Sequence, residues 1–270
     1  MKYTPREPAD NVNVSPTSPL HEFFILTSGL LAILIGIYLV LGFTVDLIVP
    51  HISTSFEKKL AGPFLSSINT KETDSNKEGF VQYLVDDLQK NCAKLPYEFK
   101  VVVRQSNTIN ALALPGGHIV VFTGLLDKIT SENELAFVMA HEMGHYANRD
   151  HLKGVGRAFV IMTISALVFG ADSGINNLLA KGLTVTELSF SRKQEMRADE
   201  FALQTIDCLY GHTGGAIDFF KKIPKEKNPG KFGHYFASHP ENLKRITRLE
   251  EIIHTKGLKV LNTKPLPDKI

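Results

Sequence analysis

His141-Glu142-Met143-Gly144-His145 places two imidazoles four residues apart, with a carboxylate directly after the first. On a helix that spacing is one turn, so both rings reach a single cation while Glu142 projects beside them toward water, which is metal-assisted hydrolytic chemistry. Zinc takes more than two protein ligands, and a catalytic site keeps one position open. A third donor must come from elsewhere. The segment Arg192 to Phe201 (RKQEMRADEF) offers Glu195, Asp199 and Glu200, of which Glu195 and Asp199 share a helical face. On residue type alone all three compete for the ligand role, against the reading of a solvated acidic patch. His118 and His151 lack the one-turn relation to the histidine pair and read as surface or packing residues.

These side chains need rigid elements to hold them. Ser131-x-x-Glu134 has capping-box spacing immediately before LAFVMAHEMGHYA, which starts a helix at about Ser131 with the histidine pair in its middle. Gly144 weakens that helix but permits another backbone to approach closely. Residues 184–209 read as a long helix carrying the acidic residues, and 241–253 as a further helix opened by His239-Pro240. Upstream, Phe99 to Val103 is a strand candidate, and Ala111 to Leu114 with His118 to Phe122 flank Pro115-Gly116-Gly117 as a hairpin. Phe56, Leu60, Phe64 and Leu65, then Phe80, Leu84 and Leu88, mark one or two amphipathic helices separated by the solvated stretch KETDSNKEG.

The N-terminal residues 1–20 hold four prolines among polar residues and read as a disordered arm. Phe23 to Phe43 follows with twenty-one residues and no charge, long enough at ~1.5 Å per residue to cross the ~30 Å core of a bilayer. No compact basic region or small-residue cleavage site accompanies it, so it reads as an anchor rather than a leader. Lys2 and Arg6 on one side balance Lys58 and Lys59 on the other, which leaves orientation open. A second uncharged run, 158–170, is too short to span and reads either as a core helix or as an arm touching lipid. A formal net charge of +2 gives no field of the kind that attracts nucleic acid. Cys92 and Cys208 fit neither a redox CxxC nor a thiolate metal site, and whether they pair stays open.

The HExxH helix followed by Glu195-x-x-x-Asp199 resembles the membrane-associated M48 zinc metallopeptidases, the HtpX-like and Ste24-like group. The resemblance covers residues 98–250. It implies that Glu195 completes the metal set with His141 and His145, and that Asp199 supports the site from behind. Asn110 to Gly117 (NALALPGG) looks like the family's edge strand beside the cleft, which implies substrate pairing along Asn110, Ala111, Leu112 and Ala113. Ser238-His239-Pro240 and Arg245 resemble a further family segment, implying that His239 donates to a developing oxyanion and Arg245 positions groups in or around the cleft.

The combined expectation is a mostly helical α+β fold: a zincin-like metallopeptidase domain with a short β-sheet and an N-terminal transmembrane helix. Its segments are an arm (1–20), a transmembrane helix (21–45), a helical lead-in (46–97), the peptidase domain (98–256) and a tail (257–270). It would hold one Zn2+ per chain, with Glu142 as the general base that activates zinc-bound water. Flexible or unfolded protein or peptide chains are its expected substrates, at or near a membrane that it touches through residues 21–45, and nucleic acid is not an expected partner. Only one full-length span is present, which argues against the prenyl-protein processing of multi-spanning relatives. Residues 171–183 are the candidate for a moving segment over the cleft. The alternative is a membrane-tethered chaperone or assembly factor without catalysis.

Overall fold

The Ser131 side chain determines where the central helix begins. Its Oγ accepts the Glu134 N–H at 3.2 Å, and α5, Glu132–Ala147, starts one residue later. The reciprocal half of the expected capping box is replaced: the Glu134 carboxylate accepts from the Thr130 N–H and hydroxyl and pairs with Lys222. The structure is a computed structural model and describes residues 18–67, 75–170, 190–222, 238–239 and 242–267. The expectations for the N-terminal arm, for residues 171–183 and for a helix over 184–189 therefore lie outside the described residues, apart from Ser18 to Leu20.

The chain divides into two units, Met1–Leu41 and Gly42–Ile270. Helix α1, Pro19–Ile48, contains the expected apolar run, and none of its residues is buried. Then come α2, Thr54–Ser67, and α3, Ser75–Leu88, so the solvated connection read from sequence is already helical from Ser75. Strands β1, Lys100–Arg104, β2, Ala111–Leu114, and β3, His118–Phe122, form one sheet in the order β1-β3-β2. Pairing is parallel between β1 and β3 and antiparallel in the expected β2–β3 hairpin, where Leu114 faces His118. Gly116 and Gly117 turn that hairpin at φ +84° and +87°, and a Cβ on Gly117 would lie 2.6 Å from the Glu98 carbonyl oxygen, so only glycine fits there.

A short helix α4, Thr123–Leu126, leads to α5, which is buried from Glu132 to Tyr146. After α5 come α6, Asp150–Phe169, α7, Arg192–Tyr210, α8, Asp218–Lys222, and α9, Asn242–Thr255. Helix α7 starts later than the sequence reading placed it, because Ser191 caps it: Ser191 Oγ accepts from the Gln194 N–H while the Gln194 side chain returns a bond to the Ser191 N–H. The core joins Leu84 and Leu88 of α3, Val101 and Val103 of β1, Ile119 and Val121 of β3, Leu135 and Met139 of α5, and Leu203 and Ile206 of α7. Helix α3 thus packs into the body that carries the site. So do residues 257–265: Lys264 O accepts the Glu132 N–H at 2.9 Å, and Lys259 O accepts the Thr213 N–H at 2.7 Å.

Cys92 and Cys208 are joined as a disulfide, which resolves a pairing that sequence left open. The bridge ties the π-helical end of α3 to α7 across 116 residues, and a loop of that order contributes roughly 2–4 kcal/mol by restricting the unfolded chain.

Candidate metal centre and active site

Helices α5 and α7 cross where neither has a bulky side chain. A Cβ added to Gly144 would lie 2.8 Å from Ala198 Cα and 3.0 Å from its carbonyl oxygen, a spacing only glycine permits. This contact brings one turn of α5, with His141 and His145, against one turn of α7, with Glu195 and Asp199. All four are buried.

The donor atoms converge. His141 Nε2 lies 3.2 Å from His145 Nε2, Glu195 Oε1 lies 3.4 Å from His145 Nε2, and Glu195 Oε2 lies 3.5 Å from His141 Nε2. Ligands held tetrahedrally around zinc at ~2.0–2.1 Å stand about 3.3–3.4 Å from one another, so these spacings fit the donors of a single cation. His239 joins them: its Nδ1 is 3.3 Å from His141 Nε2 and 3.0 Å from Glu195 Oε1. Together His141, His145, Glu195 and His239 form a buried cluster with ligand atoms within 4.8 Å of one another, capable of holding a divalent metal. His239 was expected to face an oxyanion. Its Nδ1 stands with the ligand atoms instead, while its Nε2 faces Glu142 Oε1 at 3.6 Å.

The far nitrogens of the two helical histidines each meet a carboxylate. His141 Nδ1 lies 2.8 Å from Asp199 Oδ1, and His145 Nδ1 faces Asp150 Oδ2 at 3.4 Å. A proton on each Nδ1 and none on either Nε2 aims two lone pairs at one point, an arrangement that a cation between them stabilises. Asp150, in the first turn of α6, is fully buried and also accepts from Gln194 and Arg197. Sequence reading missed it. The requirement that a ligating imidazole have an acceptor for its second nitrogen was the available signal, with Asp150 five residues beyond His145. It also missed Phe190, whose ring stacks on His145 with centroids 3.5 Å apart.

Arg245 on α9 lies behind the cluster and is buried. Its Nη1 contacts Glu195 Oε2 at 2.6 Å, while Nε and Nη2 each donate to Asp199 at 2.7 Å. Expected to position groups around the cleft, it makes these contacts with the cluster's carboxylate, Glu195, and with Asp199 behind it. Burial pushes the Glu195 carboxyl up, but Arg245, His239, His141 and a bond from His145 outweigh it and hold the group well below the usual range. Burial likewise raises Asp199, and Arg245 and His141 bring it below its ordinary value. Burial lowers His141, which suits a neutral ligand. Burial also opposes charge on His145, yet Asp150, Glu195 and Glu142 push it up to about 9. A ligand there must first release its proton. Glu195 and Asp199 share the buried guanidinium of Arg245, and with Glu142 and Asp150 also buried beside the histidines the site holds carboxylates that a divalent cation would help balance.

Glu142 is buried beside the cluster, and among the described residues its Oε2 has no hydrogen-bond partner. A buried carboxylate oxygen left so is costly unless a further group belongs there. Strand β2 is an edge of the sheet, and Asn110 just before it accepts at Oδ1 from the Ser238 hydroxyl at 3.3 Å, next to His239. Ala111 and Ala113 are buried and Leu112 is half-buried. His118 and His151 pack as expected: His151 is buried against Glu57 at 2.7 Å, and His118 Nδ1 lies 3.2 Å from the Pro115 carbonyl oxygen.

Fold and donor set together define a metal-binding helical domain of the HExxH type. The chain belongs to peptidase family M48, which it matches over residues 75–253. It is 33% identical over 155 residues to mitochondrial metalloendopeptidase OMA1 of Arabidopsis thaliana, a match that covers 57% of this chain and 31% of that protein. It is 26% identical over 181 residues to metalloprotease LoiP of Escherichia coli, covering 65% and 70%. With the protease HtpX homolog of Pyrococcus abyssi it shares 28% identity over 87% of this chain and 96% of the other. The chain thus spans about a third of the Arabidopsis relative's length and nearly all of the Pyrococcus one's.

Proposed function

We propose that this chain is a zinc-dependent endopeptidase, anchored in a membrane by α1, that cuts flexible or unfolded segments of proteins at or near that membrane. The observation that carries the reading is the convergence of His141 Nε2, His145 Nε2 and Glu195 beside Glu142, whose Oε2 has no partner among the described residues. A purely structural metal site has no use for that oxygen, which argues against the chaperone alternative. Imidazole and carboxylate donors at tetrahedral spacing favour zinc over calcium or magnesium, which take oxygen donors in larger numbers. When bound, zinc supplies a Lewis acid that acidifies water and polarises a carbonyl.

The chain's own groups do the remaining work. Glu142 takes the proton of the attacking water at Oε2 and returns it to the leaving amine. Asp199 and Asp150 hold the imidazole tautomers, and Arg245 fixes Glu195 and Asp199 relative to each other. His239 can act as the expected oxyanion donor through Nε2, the nitrogen that faces Glu142, while its Nδ1 stays on Glu195. Substrate pairs as an extended strand along β2, through Asn110 to Ala113. Burial of the whole cluster supports the choice of substrate, since a folded domain cannot lay its backbone against atoms so enclosed. Helix α1 is 30 residues long and apolar over Phe23 to Val45, which supports a single-pass anchor.

Metal analysis of the detergent-solubilised full chain tests the ligand set. Wild type is expected to carry about one zinc per chain, with occupancy falling in H141A, H145A and E195A and unfolded casein left uncut by all three. Full zinc in every variant would overturn the assignment.

A further inference from the structure

The uncharged run that follows the metal helix reads from sequence as either core or lipid contact. Helix α6 has 20 residues, but Asp150, Lys153 and Arg157 all fall in its first eight positions, and from Ala158 to Phe169 it carries no charge. Core burial does not describe that stretch. Only Val160 and Ser165 are buried there, while Phe159 is 71% and Leu167 82% exposed, with Val168 and Phe169 exposed beside it.

The contacts of the first half of α6 indicate what covers the second. Arg149 donates to the carbonyl oxygens of Ile52 and Val49, Gly156 faces Val45 so closely that a Cβ would lie 2.6 Å from its Cγ1, and Arg157 Nη2 contacts Asp46 at 3.1 and 3.2 Å. Between Arg149 and the Gly156–Arg157 pair the partners move back from Val49 and Ile52 to Val45 and Asp46, so α6 and the segment 45–52 run in opposite directions at this contact. Asp46 closes the uncharged run Phe23 to Val45, and Arg157 closes the uncharged run that begins at Ala158. Their ion pair is therefore a common boundary, with Gly42 to Val45 and the apolar half of α6 on the same side of it.

We infer that Ala158 to Phe169 is sunk into one leaflet of the bilayer that α1 crosses, a second and non-spanning lipid contact with the Asp46–Arg157 pair at headgroup level. The inference rests on the reading of α1 as a membrane anchor. At ~1.5 Å per residue the twelve residues reach about 18 Å, more than half of a ~30 Å hydrocarbon core and too little to cross it. A bilayer supplies no hydrogen-bond partners to loose backbone, and a continuous helix needs none. One consequence concerns substrate. Helix α6 opens at Asp150, which faces His145 Nδ1, and the seven residues from there to Arg157 span about 10 Å. The metal donors are thereby tied close to the headgroups, and the substrates this geometry favours are protein segments that emerge from the membrane within one or two helical turns of its surface.

The chain contains no tryptophan, so single tryptophans report depth without background. Leu31→Trp in α1, Phe159→Trp and Leu167→Trp in α6 and Tyr83→Trp in α3 all replace exposed side chains. Each full-length variant is reconstituted into phosphatidylcholine vesicles carrying bromine at shallow or deep acyl positions. Phe159→Trp should lose emission mainly to shallow bromines. Leu167→Trp, about 12 Å further along the helix, should lose it to deep ones as strongly as Leu31→Trp, with Tyr83→Trp unquenched. If Leu31→Trp is quenched and both α6 positions are not, lipid insertion of α6 is wrong while the anchor stands. Blue-shifted but unquenched emission at those positions would mean that protein covers them and would overturn the inference equally. If Leu31→Trp is itself unquenched, the anchor falls and the inference with it.

Discussion

Gly144→Ala is the perturbation that most directly tests how the two halves of the site are held together. Two effects oppose each other. Alanine in the middle of α5 should stabilise the helix by about 0.8–1 kcal/mol relative to glycine. Its Cβ, however, would lie 2.8 Å from Ala198 Cα and 3.0 Å from Ala198 O, backbone atoms that no rotamer change can move away. Overpacking of a rigid contact costs roughly 1–3 kcal/mol, and the upper part of that range applies when backbone is the neighbour. The net expectation is destabilisation by about 1–2 kcal/mol, or a fall in Tm of roughly 2–6 °C for a chain of this size. Relief of the clash pushes α7 away from α5, which separates Glu195 and Asp199 from the histidines, so zinc affinity should fall about 10-fold or more. Thermal melts followed by circular dichroism, paired with a zinc competition titration, measure both. An unchanged or raised Tm with unchanged zinc affinity would refute the close crossing as the device that assembles the site.

Two further outcomes follow from buried carboxylates outside the donor set. Asp150→Ala removes the acceptor facing His145 Nδ1, and zinc affinity should drop roughly 10–100-fold; a competition titration matching wild type would contradict that role. Glu57, fully buried, accepts from Tyr97, from the Gly116 N–H and from His151. Burial pushes its carboxyl up, but His151, Gly116 and Tyr97 outweigh this and hold it below 4.5. A depressed carboxyl stabilises the fold above its unfolded pKa and ceases to do so as pH falls through the folded value. Wild type should therefore exceed Glu57→Gln in stability by about 1–3 kcal/mol at neutral pH. That gap should close as pH drops below about 4.5, and urea unfolding in which it stays constant down to pH 3 would sink the argument.

The parts of this molecule that sequence made legible are those set by local rules. The His141–His145 pair, the Ser131 cap, the Pro115-Gly116-Gly117 hairpin and the apolar run of α1 each depend on residues within a turn or two of one another. Gly144 was read as a position for close backbone approach, and Ala198 is the backbone that approaches. The carboxylates of α7 needed family resemblance, because helical spacing alone could not rank Glu195, Asp199 and Glu200. What stayed hidden depends on which distant surfaces meet. Asp150 serves His145 only because the chain reverses at Arg149, whose φ is +54°. The bond of His151 to Glu57 spans 94 residues, and the bridge from Cys92 to Cys208 spans 116. The start of α7 was readable in Ser191-x-x-Gln194, a capping box inside the longer helix expected over 184–209.

The central claim is that Glu142 is the general base of a metal-dependent peptidase rather than part of a structural site. Wild type and Glu142→Gln, purified together in the same detergent, should carry equal zinc, because Glu142 is not among the ligand atoms. On unfolded casein the variant should lose nearly all hydrolysis, with a fall in kcat of about 100-fold or more. Equal cleavage by both proteins at equal zinc content would contradict the account.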